Sequence, residues 1–333
     1  MKHILEKLYA HHHLSRAEAR DILTGIAESR YNDAQIASFI TVFLMRAIST
    51  EELEGFRDAL LDLCLRIDLG GTPAVDIVGT GGDGKNTFNI STLAAFTVAG
   101  AGYKVAKHGN YGVSSACGSS NVLEHLGYRF TADADVLRRQ LDAAGICFFH
   151  APFFHPAMRT VAPIRRQLGV KTFFNMLGPL VNPAQPRCSL LGVFSRELGR
   201  QYHYLLEKSG REFAIVHALD GYDEVSLTGP FQLRSAGGER LFVPQDLGKK
   251  QVAAADLFGG NTVEEAATIF QKILAGAGSE AQNDVVAANA GLAIQCLCPE
   301  KSLADCMGEA AESLASGRAG ECFRKLVGMQ YYF

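Results

Sequence analysis

The chain has 333 residues, of which 47% are hydrophobic and 20% charged, and its formal net charge is -3 at pH 7. This composition is typical of a globular protein and excludes a disordered chain and an overall basic surface for nucleic acid. The length favours about two domains. The apolar stretches, such as residues 93–101, are shorter than the roughly 20 residues that cross a bilayer, and the N-terminus has no secretory apolar block. We therefore expect a cytoplasmic protein that binds neither membrane nor nucleic acid.

The first 70 residues have the apolar spacing of helices. Apolar side chains recur every three or four positions as far as about Asp68, a pattern typical of amphipathic helices. Ser15, Asn32 and Ser49 are predicted to cap the N-termini of helices. The sequence GGTP at residues 70–73 then breaks the pattern. Residues 1–70 are therefore predicted to form a small all-helical domain.

After residue 74, short apolar runs alternate with helical segments. Such alternation predicts an α/β fold with a mainly parallel central sheet flanked by helices. The predicted parallel strands are residues 75–78, 103–106, 146–149, 189–194 and 213–219. A hairpin is predicted at residues 231–243, with Gly237 and Gly238 at its turn, and the chain returns to helices from Thr262.

The first predicted strand runs into a glycine-rich segment, GTGGDGKNTFNIST at residues 79–92, and a helix is predicted to begin after Ser91. Glycines let a backbone approach an anion closely, and the N–H groups at a helix start attract it, so this layout indicates phosphate binding. The segment also matches most of the dinucleotide-binding and P-loop patterns. Both fit poorly. Lys107 and His108 stand where a dinucleotide fold needs an acidic residue for the ribose, and Asn86 stands where a P-loop needs Ser or Thr.

A second segment, KHGNYGVSSACGSS at residues 107–120, follows the next predicted strand. Lys107 and His108 lie at the predicted carboxyl end of that strand, the edge at which open α/β sheets bind ligands. Asn110, Ser115 and Ser119 add amide and hydroxyl groups that suit a second anion-binding loop. The alternative at this point is a solvated turn of small residues.

Four segments in order resemble those of the anthranilate phosphoribosyltransferases, and the resemblance covers nearly the whole chain. They are GTGGDGKNTFNIST, KHGNYGVSSACGSSNVLEHLG, HPAMRTVAPIRRQLGVKTFFNMLGPLVNP and GYDEVSLTGP. The resemblance implies a small helical domain at residues 1–70, with a later excursion at about 163–183, and a large phosphoribosyl-binding α/β domain at 74–333. It further implies a substrate site in the cleft and a homodimer formed through the helical domains.

The activity that the resemblance implies is that of a pentosyltransferase in tryptophan biosynthesis. Its members transfer phosphoribosyl from phosphoribosyl diphosphate to the amine of anthranilate, which is the second step of tryptophan synthesis from chorismate. The products are N-(5-phosphoribosyl)anthranilate and diphosphate.

The resemblance also assigns roles to residues of this sequence. Donor binding is implied for Gly79, Gly82, Asp83, Thr87, Asn89, Ile90, Ser91, Thr92, Lys107, Ser115 and Ser119. Anthranilate binding is implied for Gly79, His108, Asn110 and Arg165, and magnesium binding, with two Mg²⁺ ions expected, for Ser91, Asp223 and Glu224. Oxygen ligands suit Mg²⁺, and a guanidinium suits the carboxylate of anthranilate. From the residues alone, Asp223 and Glu224 also fit an exposed acidic turn, and Arg165 also fits a solvated helix position.

Two places depart from the family's pattern. Tyr111 stands where KHGN is usually followed by arginine, and Ser120 with Asn121 replaces the common Ala-Asp pair. Tyr111 removes a positive charge near the phosphates, which weakens donor binding unless Lys85 or Lys107 compensates. Neither departure removes a metal carboxylate, so the interpretation as an enzyme stands.

The implied reaction needs no nucleophilic side chain and no obligate base, because the amine of anthranilate is uncharged at neutral pH. Catalysis is expected from the positioning of both reactants and from magnesium at the departing diphosphate. One alternative is a pyrimidine nucleoside phosphorylase of the same general fold, which KHGN and the Asp223–Glu224 pair disfavour. The other is a non-catalytic relative that binds nucleic acid, which the lack of a basic run disfavours.

Overall fold

A computed structural model describes residues 1–112 and 117–329 and divides the chain into two compact units. The helical unit comprises Met1–Ile67 and Ala151–Pro183, and the α/β unit comprises Asp68–His150 and Ala184–Phe333. The second segment of the helical unit thus begins at Ala151, whereas the resemblance places the excursion at about 163–183.

The helices in chain order are α1 (Lys2–Tyr9), α2 (Arg16–Ala27), α3 (Asp33–Met45), α4 (Thr50–Asp62), α5 (Ile90–Gly100), α6 (Ser119–His125), α7 (Ala134–Ala144), α8 (Ala151–Phe154), α9 (Pro156–Leu168), α10 (Arg196–Glu207), α11 (Val263–Leu274), α12 (Glu280–Leu297), α13 (Leu303–Ala315) and α14 (Arg318–Gly328). The strands are β1 (Val75–Gly79), β2 (Val105–Gly109), β3 (Ile146–His150), β4 (Cys188–Gly192), β5 (Glu212–Ala218), β6 (Phe231–Ser235) and β7 (Gly238–Phe242). Among the helices of the described residues, none is both long and apolar enough to span a membrane.

The helical unit has the caps that its sequence predicts. The side chains of Ser15, Asn32 and Ser49 each accept a hydrogen bond from the backbone N–H three residues further on, at the starts of α2, α3 and α4. Such caps satisfy N–H groups that the first helical turn leaves without a partner. A cluster of phenylalanines forms the interior, and Phe56 stacks on Phe173 with ring centroids 4.6 Å apart. The later segment of the chain therefore contributes directly to the core of this unit.

The described part of the α/β unit contains a seven-stranded sheet in the order β3-β2-β1-β4-β5-β6-β7. β1 to β5 are parallel, and β6 and β7 form the antiparallel hairpin predicted at residues 231–243. The predicted mainly parallel sheet and the small helical domain are confirmed. β2 begins at Val105 rather than at residue 103, because Gly102 (φ 99°) turns the chain and the Tyr103 hydroxyl is drawn to Glu309, 2.7 Å away.

Two buried helices, α5 and α12, lie against the sheet and form much of the core. From Ile90 to Gly100 all residues of α5 except Ser91 are buried, and α12 is buried from Val285 to Ile294. A helix that is apolar all round is stable only inside a protein. Because α5 follows β1, its N-terminus lies at the carboxyl edge of the parallel strands, where the candidate residues are found.

Candidate active site

The candidate site lies at the carboxyl edge of the parallel strands, in the loops that follow β1, β2 and β5. β1 ends at Gly79, β2 ends at Gly109 and β5 ends at Ala218. Parallel strands end at the same edge of a sheet, so loops that are far apart in sequence meet there. The glycine-rich segment after β1 thereby meets the GYDE turn after β5.

The glycine-rich loop after β1 binds an acidic side chain with its own backbone. Gly81 and Gly82 have φ of 63° and 76°, which favours glycine, and the N–H of Gly81 donates to Asp223 Oδ2 at 2.6 Å. The Thr80 hydroxyl lies 3.3 Å from the same oxygen. Asp223 is buried, so these bonds hold a carboxylate in an interior that does not otherwise favour charge.

A glycine is needed at residue 79 because the Asp223 side chain approaches its backbone closely, and not because of an unusual backbone conformation. A Cβ atom at this position would stand 2.4 Å from Asp223 Oδ2. On the neighbouring strand, a Cβ atom on Gly192 would stand 1.6 Å from the carbonyl oxygen of Asp223. Two glycines on adjacent strands therefore make the space in which the acidic turn lies against the sheet.

Glu224 contacts the first turn of α5. Its Oε1 accepts a hydrogen bond of 2.9 Å from the N–H of Ser91. The helix begins at Ile90, before the predicted start after Ser91, and Asn89 precedes it with a non-helical backbone and no capping bond from its side chain. The Ser91 N–H therefore has no partner within the helix, and the Glu224 carboxylate accepts from it as an anion at a helix N-terminus.

Lys107 is a buried cation beside this carboxylate. Its Nζ donates to the carbonyl of Ile77 at 2.6 Å and lies 3.4 Å from Ser91 Oγ. Burial lowers the pKa of Lys107 to about 8, and Asp76 and Glu224 oppose that shift. Lys107 thus brings one positive charge to the end of β2, where the sequence predicts donor binding.

The carboxylates of this site carry more negative charge than the protein neutralises. Burial and the neighbouring Asp83 raise the pKa of Asp223 to about 7. Burial and the charges of Asp223 and Asp83 raise the pKa of Glu224 well above its ordinary value. A site of this kind favours an added cation, because the cation removes the repulsion between the carboxylates.

The other predicted donor residues surround the same loop. Asn89 Nδ2 donates to the carbonyl of Cys117 at 3.3 Å, Thr87 forms an isolated bridge with Phe258, and Ile90 is buried. The hydroxyl oxygen of Thr92 is buried without a hydrogen-bond partner in the described structure. Gly82 and Asp83 are half-buried in the loop, and Asp83 Oδ1 accepts from the N–H of Lys85 at 2.9 Å.

The second loop brings together part of the predicted set. His108 is buried, and its N–H donates to Asp76 Oδ1 at 3.0 Å. Asn110 is exposed, and its carbonyl accepts from the Ser119 hydroxyl at 3.2 Å. Ser115 lies outside the described residues.

The side chains that depart from the family's pattern, those of Tyr111, Ser120 and Asn121, each contact neighbouring residues. The Tyr111 ring packs edge-on against His150 at 4.8 Å, and its hydroxyl lies 3.3 Å from Glu124 Oε2. Ser120 Oγ is 2.9 Å from His150 Nδ1, and Asn121 Oδ1 accepts the N–H groups of residues 112 and 118, both at 3.0 Å. These side chains therefore hold the start and the end of the second loop.

The two lysines proposed as compensation for Tyr111 lie in different surroundings. Lys107 is buried at the end of β2, while the Lys85 ammonium stands 4.6 Å from the centre of the Tyr222 ring. Tyr222 directly precedes Asp223, so Lys85 adds a positive charge to the acidic turn.

Arg165 belongs to the helical unit, on α9. Its Nη2 donates to Asn175 Oδ1 at 3.2 Å, and its guanidinium lies 5.3 Å from the centre of the Phe174 ring. The Arg165 side chain is half-buried, and this burial lowers the pKa of its guanidinium. Arg165 is therefore held in place by its neighbours rather than solvated.

Several residues that shape the site were not predicted from the sequence. Thr80, Gly192 and Asn289 contact Asp223 or the residue after Glu224, and His150 contacts the second loop. His150 had a usable signal, since it directly follows a predicted strand at the carboxyl edge. Thr80 lies within the predicted glycine-rich segment and Asn289 within an apolar helix, but neither position indicates its partner, because the partners are remote in sequence. Gly192 had no signal.

Comparison with known proteins places this chain in a family. Residues 71–320 match a model described as the a/b domain of a glycosyl transferase family, and residues 2–64 match its helical bundle domain. Anthranilate phosphoribosyltransferase of Cytophaga hutchinsonii is 54% identical over 98% of this chain and 100% of its own length. That of Bacteroides fragilis is 55% identical over 98% of this chain and 99% of its own.

Solved structures of anthranilate phosphoribosyltransferases are similar to this chain over nearly its whole length. Anthranilate phosphoribosyltransferase from Thermus thermophilus has a TM-score of 0.90 at 34% identity, covering 98% of this chain and 99% of its own. The Saccharomyces cerevisiae protein, solved in complex with PRPP and Mg, has a TM-score of 0.90 at 27% identity, covering 99% of this chain and 97% of its own. The chain therefore belongs to the glycosyl transferase family, among its anthranilate phosphoribosyltransferases.

Proposed function

We propose that the chain transfers phosphoribosyl from phosphoribosyl diphosphate to the amine of anthranilate, the second step of tryptophan synthesis from chorismate. The observation that carries this proposal is the junction of a glycine-rich loop, a helix N-terminus and two carboxylates. Gly81 binds Asp223, Ser91 binds Glu224, and the buried Lys107 lies beside Ser91. This junction places oxygen ligands for a cation beside a glycine-rich loop and a helix N-terminus, the two backbone features that suit phosphates.

Magnesium fits the residues of the junction. Asp223, Glu224 and the Ser91 hydroxyl offer oxygen atoms only, and the raised pKa values of the two carboxyls indicate a site that favours a cation. Within residues 1–112 and 117–329 no three His, Cys, Asp or Glu side chains are grouped to hold a metal by themselves. Mg²⁺ suits such an incomplete set, because it usually keeps several waters and completes its shell with phosphates. We propose two ions, held by these three residues together with the donor.

The donor is proposed to bind along the loop after β1 and the first turn of α5. The residues assigned to it are Gly79, Gly82, Asp83, Thr87, Asn89, Ile90, Ser91, Thr92, Lys107, Ser115 and Ser119. Phosphate oxygens would accept from N–H groups of the loop and from the Lys107 ammonium. When bound, Mg²⁺ supplies neutralising charge at the diphosphate.

The chemistry proposed is a direct displacement at the anomeric carbon. The anthranilate nitrogen forms a bond to that carbon, the bond to diphosphate breaks, and the nitrogen loses a proton to solvent. The lone pair of the neutral amine is available for attack, so no side chain serves as nucleophile or obligate base. The contribution of the chain is to hold both reactants in line.

Anthranilate is proposed to bind at Gly79, His108, Asn110 and Arg165. We expect Arg165→Ala to raise KM for anthranilate about 10- to 100-fold, because a charge-assisted hydrogen bond contributes about 1.5 to 3 kcal/mol. Steady-state kinetics with each substrate varied in turn would measure this. Arg166→Ala is the matched control, since Arg166 is the next residue on α9 and is exposed. An equal rise in KM for both substrates would contradict a carboxylate-binding role.

The pKa of Asp223 predicts a pH-dependent response to magnesium. A carboxyl whose folded pKa is raised to about 7 stabilises the fold at low pH, and this contribution is lost as the pH rises through 7. Mg²⁺ requires the ionised form, so its binding compensates for that loss. Mg²⁺ with diphosphate should therefore raise Tm more near pH 8 than near pH 6, as measured by differential scanning fluorimetry. Equal shifts at both pH values would contradict this role of Asp223.

A product assay tests the activity itself. The chain is incubated with phosphoribosyl diphosphate, Mg²⁺ and either anthranilate or uracil, and the products are identified by mass spectrometry. We expect a phosphoribosyl adduct with anthranilate and none with uracil. Release of uracil from uridine by inorganic phosphate would favour the nucleoside phosphorylase alternative. A phosphoribosyl adduct of uracil would contradict anthranilate as the acceptor.

We also propose a cytoplasmic homodimer formed through the helical unit. Three side chains of this unit support the proposal, since Tyr9, Leu44 and Met45 leave 56%, 44% and 83% of their surfaces exposed. Association with a second copy would remove these apolar side chains from water.

A further inference from the structure

The segment that carries the two carboxylates is held by its backbone at several points. We call residues 222–227 the acidic segment. At its start, the Tyr222 carbonyl accepts from the N–H of Ala218 at 3.1 Å. At its end, Leu227 has a φ of 58°, and its carbonyl accepts from the N–H of Val252 at 2.9 Å. A buried leucine in the left-handed region persists only where its surroundings fix it, so this segment has a defined backbone path.

Between these points, Asn289 on α12 binds the residue that follows Glu224. The Val225 N–H donates to Asn289 Oδ1 at 3.1 Å, and Asn289 Nδ2 donates to the Val225 carbonyl at 2.9 Å. Nδ2 also donates to the Val285 carbonyl, one helical turn earlier, at 2.8 Å. One side-chain amide thus pairs with both backbone groups of Val225, as a neighbouring strand would.

The orientation of this amide is unambiguous. A flipped amide would place its NH₂ group against the Val225 N–H and its oxygen against two carbonyls, and three hydrogen bonds would be lost. Asn289 is 3% exposed, and from Val285 to Ile294 it is the polar residue in a run of apolar residues and glycine. An amide in such surroundings is stable because its partners are complete.

These bonds act on Glu224 through the peptide group. The N–H of Val225 belongs to the peptide bond that joins it to Glu224, so its pairing with Oδ1 fixes that peptide plane. The Glu224 side chain departs from the same residue and reaches Ser91 at 2.9 Å. Asp223 precedes it and binds Gly81. A change in the backbone at Val225 would move both carboxylates relative to the glycine-rich loop.

We infer that Asn289 is a positioning residue that sets where Asp223 and Glu224 stand, by holding the backbone of Val225 on both sides. The inference rests on the proposed function, in which the two carboxylates hold magnesium. Asn289 itself has no part in the reaction. Its effect should therefore appear in magnesium binding more than in anthranilate binding.

The experiment compares Asn289→Thr and Asn289→Ala with the wild-type protein. Threonine can still donate to the carbonyl four residues earlier in a helix, so Asn289→Thr keeps the Val285 bond while losing the pairing with Val225. If Asn289→Ala fails to fold, the comparison of Asn289→Thr with the wild-type protein tests the inference alone. The control is Asn283→Ala, a half-buried amide on α12 that donates to the Gly278 carbonyl at 3.2 Å, away from the acidic segment.

Binding of Mg²⁺ in the presence of inorganic diphosphate is measured by isothermal titration calorimetry, together with the Mg²⁺ dependence of turnover. Asn289→Thr should weaken Mg²⁺ binding about 10- to 100-fold and shift the Mg²⁺ requirement in parallel, with KM for anthranilate unchanged. Asn283→Ala should behave as wild type. Wild-type affinity in Asn289→Thr, or equal weakening in Asn283→Ala, would overturn the inference. If the wild-type protein consumes no anthranilate, the proposed function fails, while the calorimetric comparison still decides the role of Asn289.

Discussion

Replacing both site carboxylates, Asp223→Asn with Glu224→Gln, is expected to lower turnover by about 10³-fold or more while the fold remains intact. The loss follows because the variant keeps the shape of both side chains but removes the charge that holds Mg²⁺ against the diphosphate. The fold should persist because an amide oxygen can still accept from the N–H groups of Gly81 and Ser91. Steady-state turnover and circular dichroism would measure the two effects.

Stability gives this prediction a second test. Both carboxyls have raised pKa values, so ionising them destabilises the metal-free protein as the pH rises. The double variant should therefore have a Tm at least equal to wild type near pH 8 without Mg²⁺. Asp220→Asn is the matched control, since Asp220 is an exposed carboxylate of the same turn. Unchanged turnover of the double variant at low Mg²⁺ would refute the metal role.

Gly192→Ala is expected to lower turnover by about 10²-fold, although residue 192 has no proposed contact with substrate. The new Cβ would stand 1.6 Å from the Asp223 carbonyl oxygen, so the backbone of the acidic segment must move. A misplacement of about 1 Å remote from the chemistry can reduce rates by about that factor. Turnover is compared per folded protein, with Tm measured alongside.

Gly199→Ala serves as the control for Gly192→Ala. Gly199 is a buried glycine on α10, but its nearest neighbour to an added Cβ is Val193 Cγ2 at 3.5 Å, an ordinary contact. Alanine also favours the helix, so this variant should retain activity and stability. Wild-type turnover in Gly192→Ala would show that the acidic segment does not depend on this contact.

Local patterns predicted most of the fold, because strands and caps depend on nearby residues. The alternation of apolar runs with helices predicted the parallel sheet, and Ser15 and Ser49 cap helices as predicted. The ends of the helices and strands were predicted less accurately than their order. β2 begins after residue 103, since the chain turns at Gly102, and α5 begins before Ser91, directly after the non-helical backbone of Asn89.

The arrangement of the site could be predicted only in part. The glycine-rich loop and Lys107 carry local signals, whereas the use of Asp223 and Glu224 followed from resemblance to a family. The bond between Gly81 and Asp223 spans 142 positions and that between Val225 and Asn289 spans 64, so no local pattern marks either. An asparagine inside an apolar helix indicates a buried polar contact but does not name its partner.

The most direct test of the account is the fluorescence of anthranilate in the presence of the wild-type chain. We expect fluorescence to fall only when phosphoribosyl diphosphate and Mg²⁺ are both present, with one diphosphate released for each anthranilate consumed. Removal of Mg²⁺ with a chelator should stop the reaction, and its return should restore it. Persistent anthranilate fluorescence with both present, or consumption that is independent of Mg²⁺, would contradict a magnesium-dependent phosphoribosyl transfer at Asp223 and Glu224.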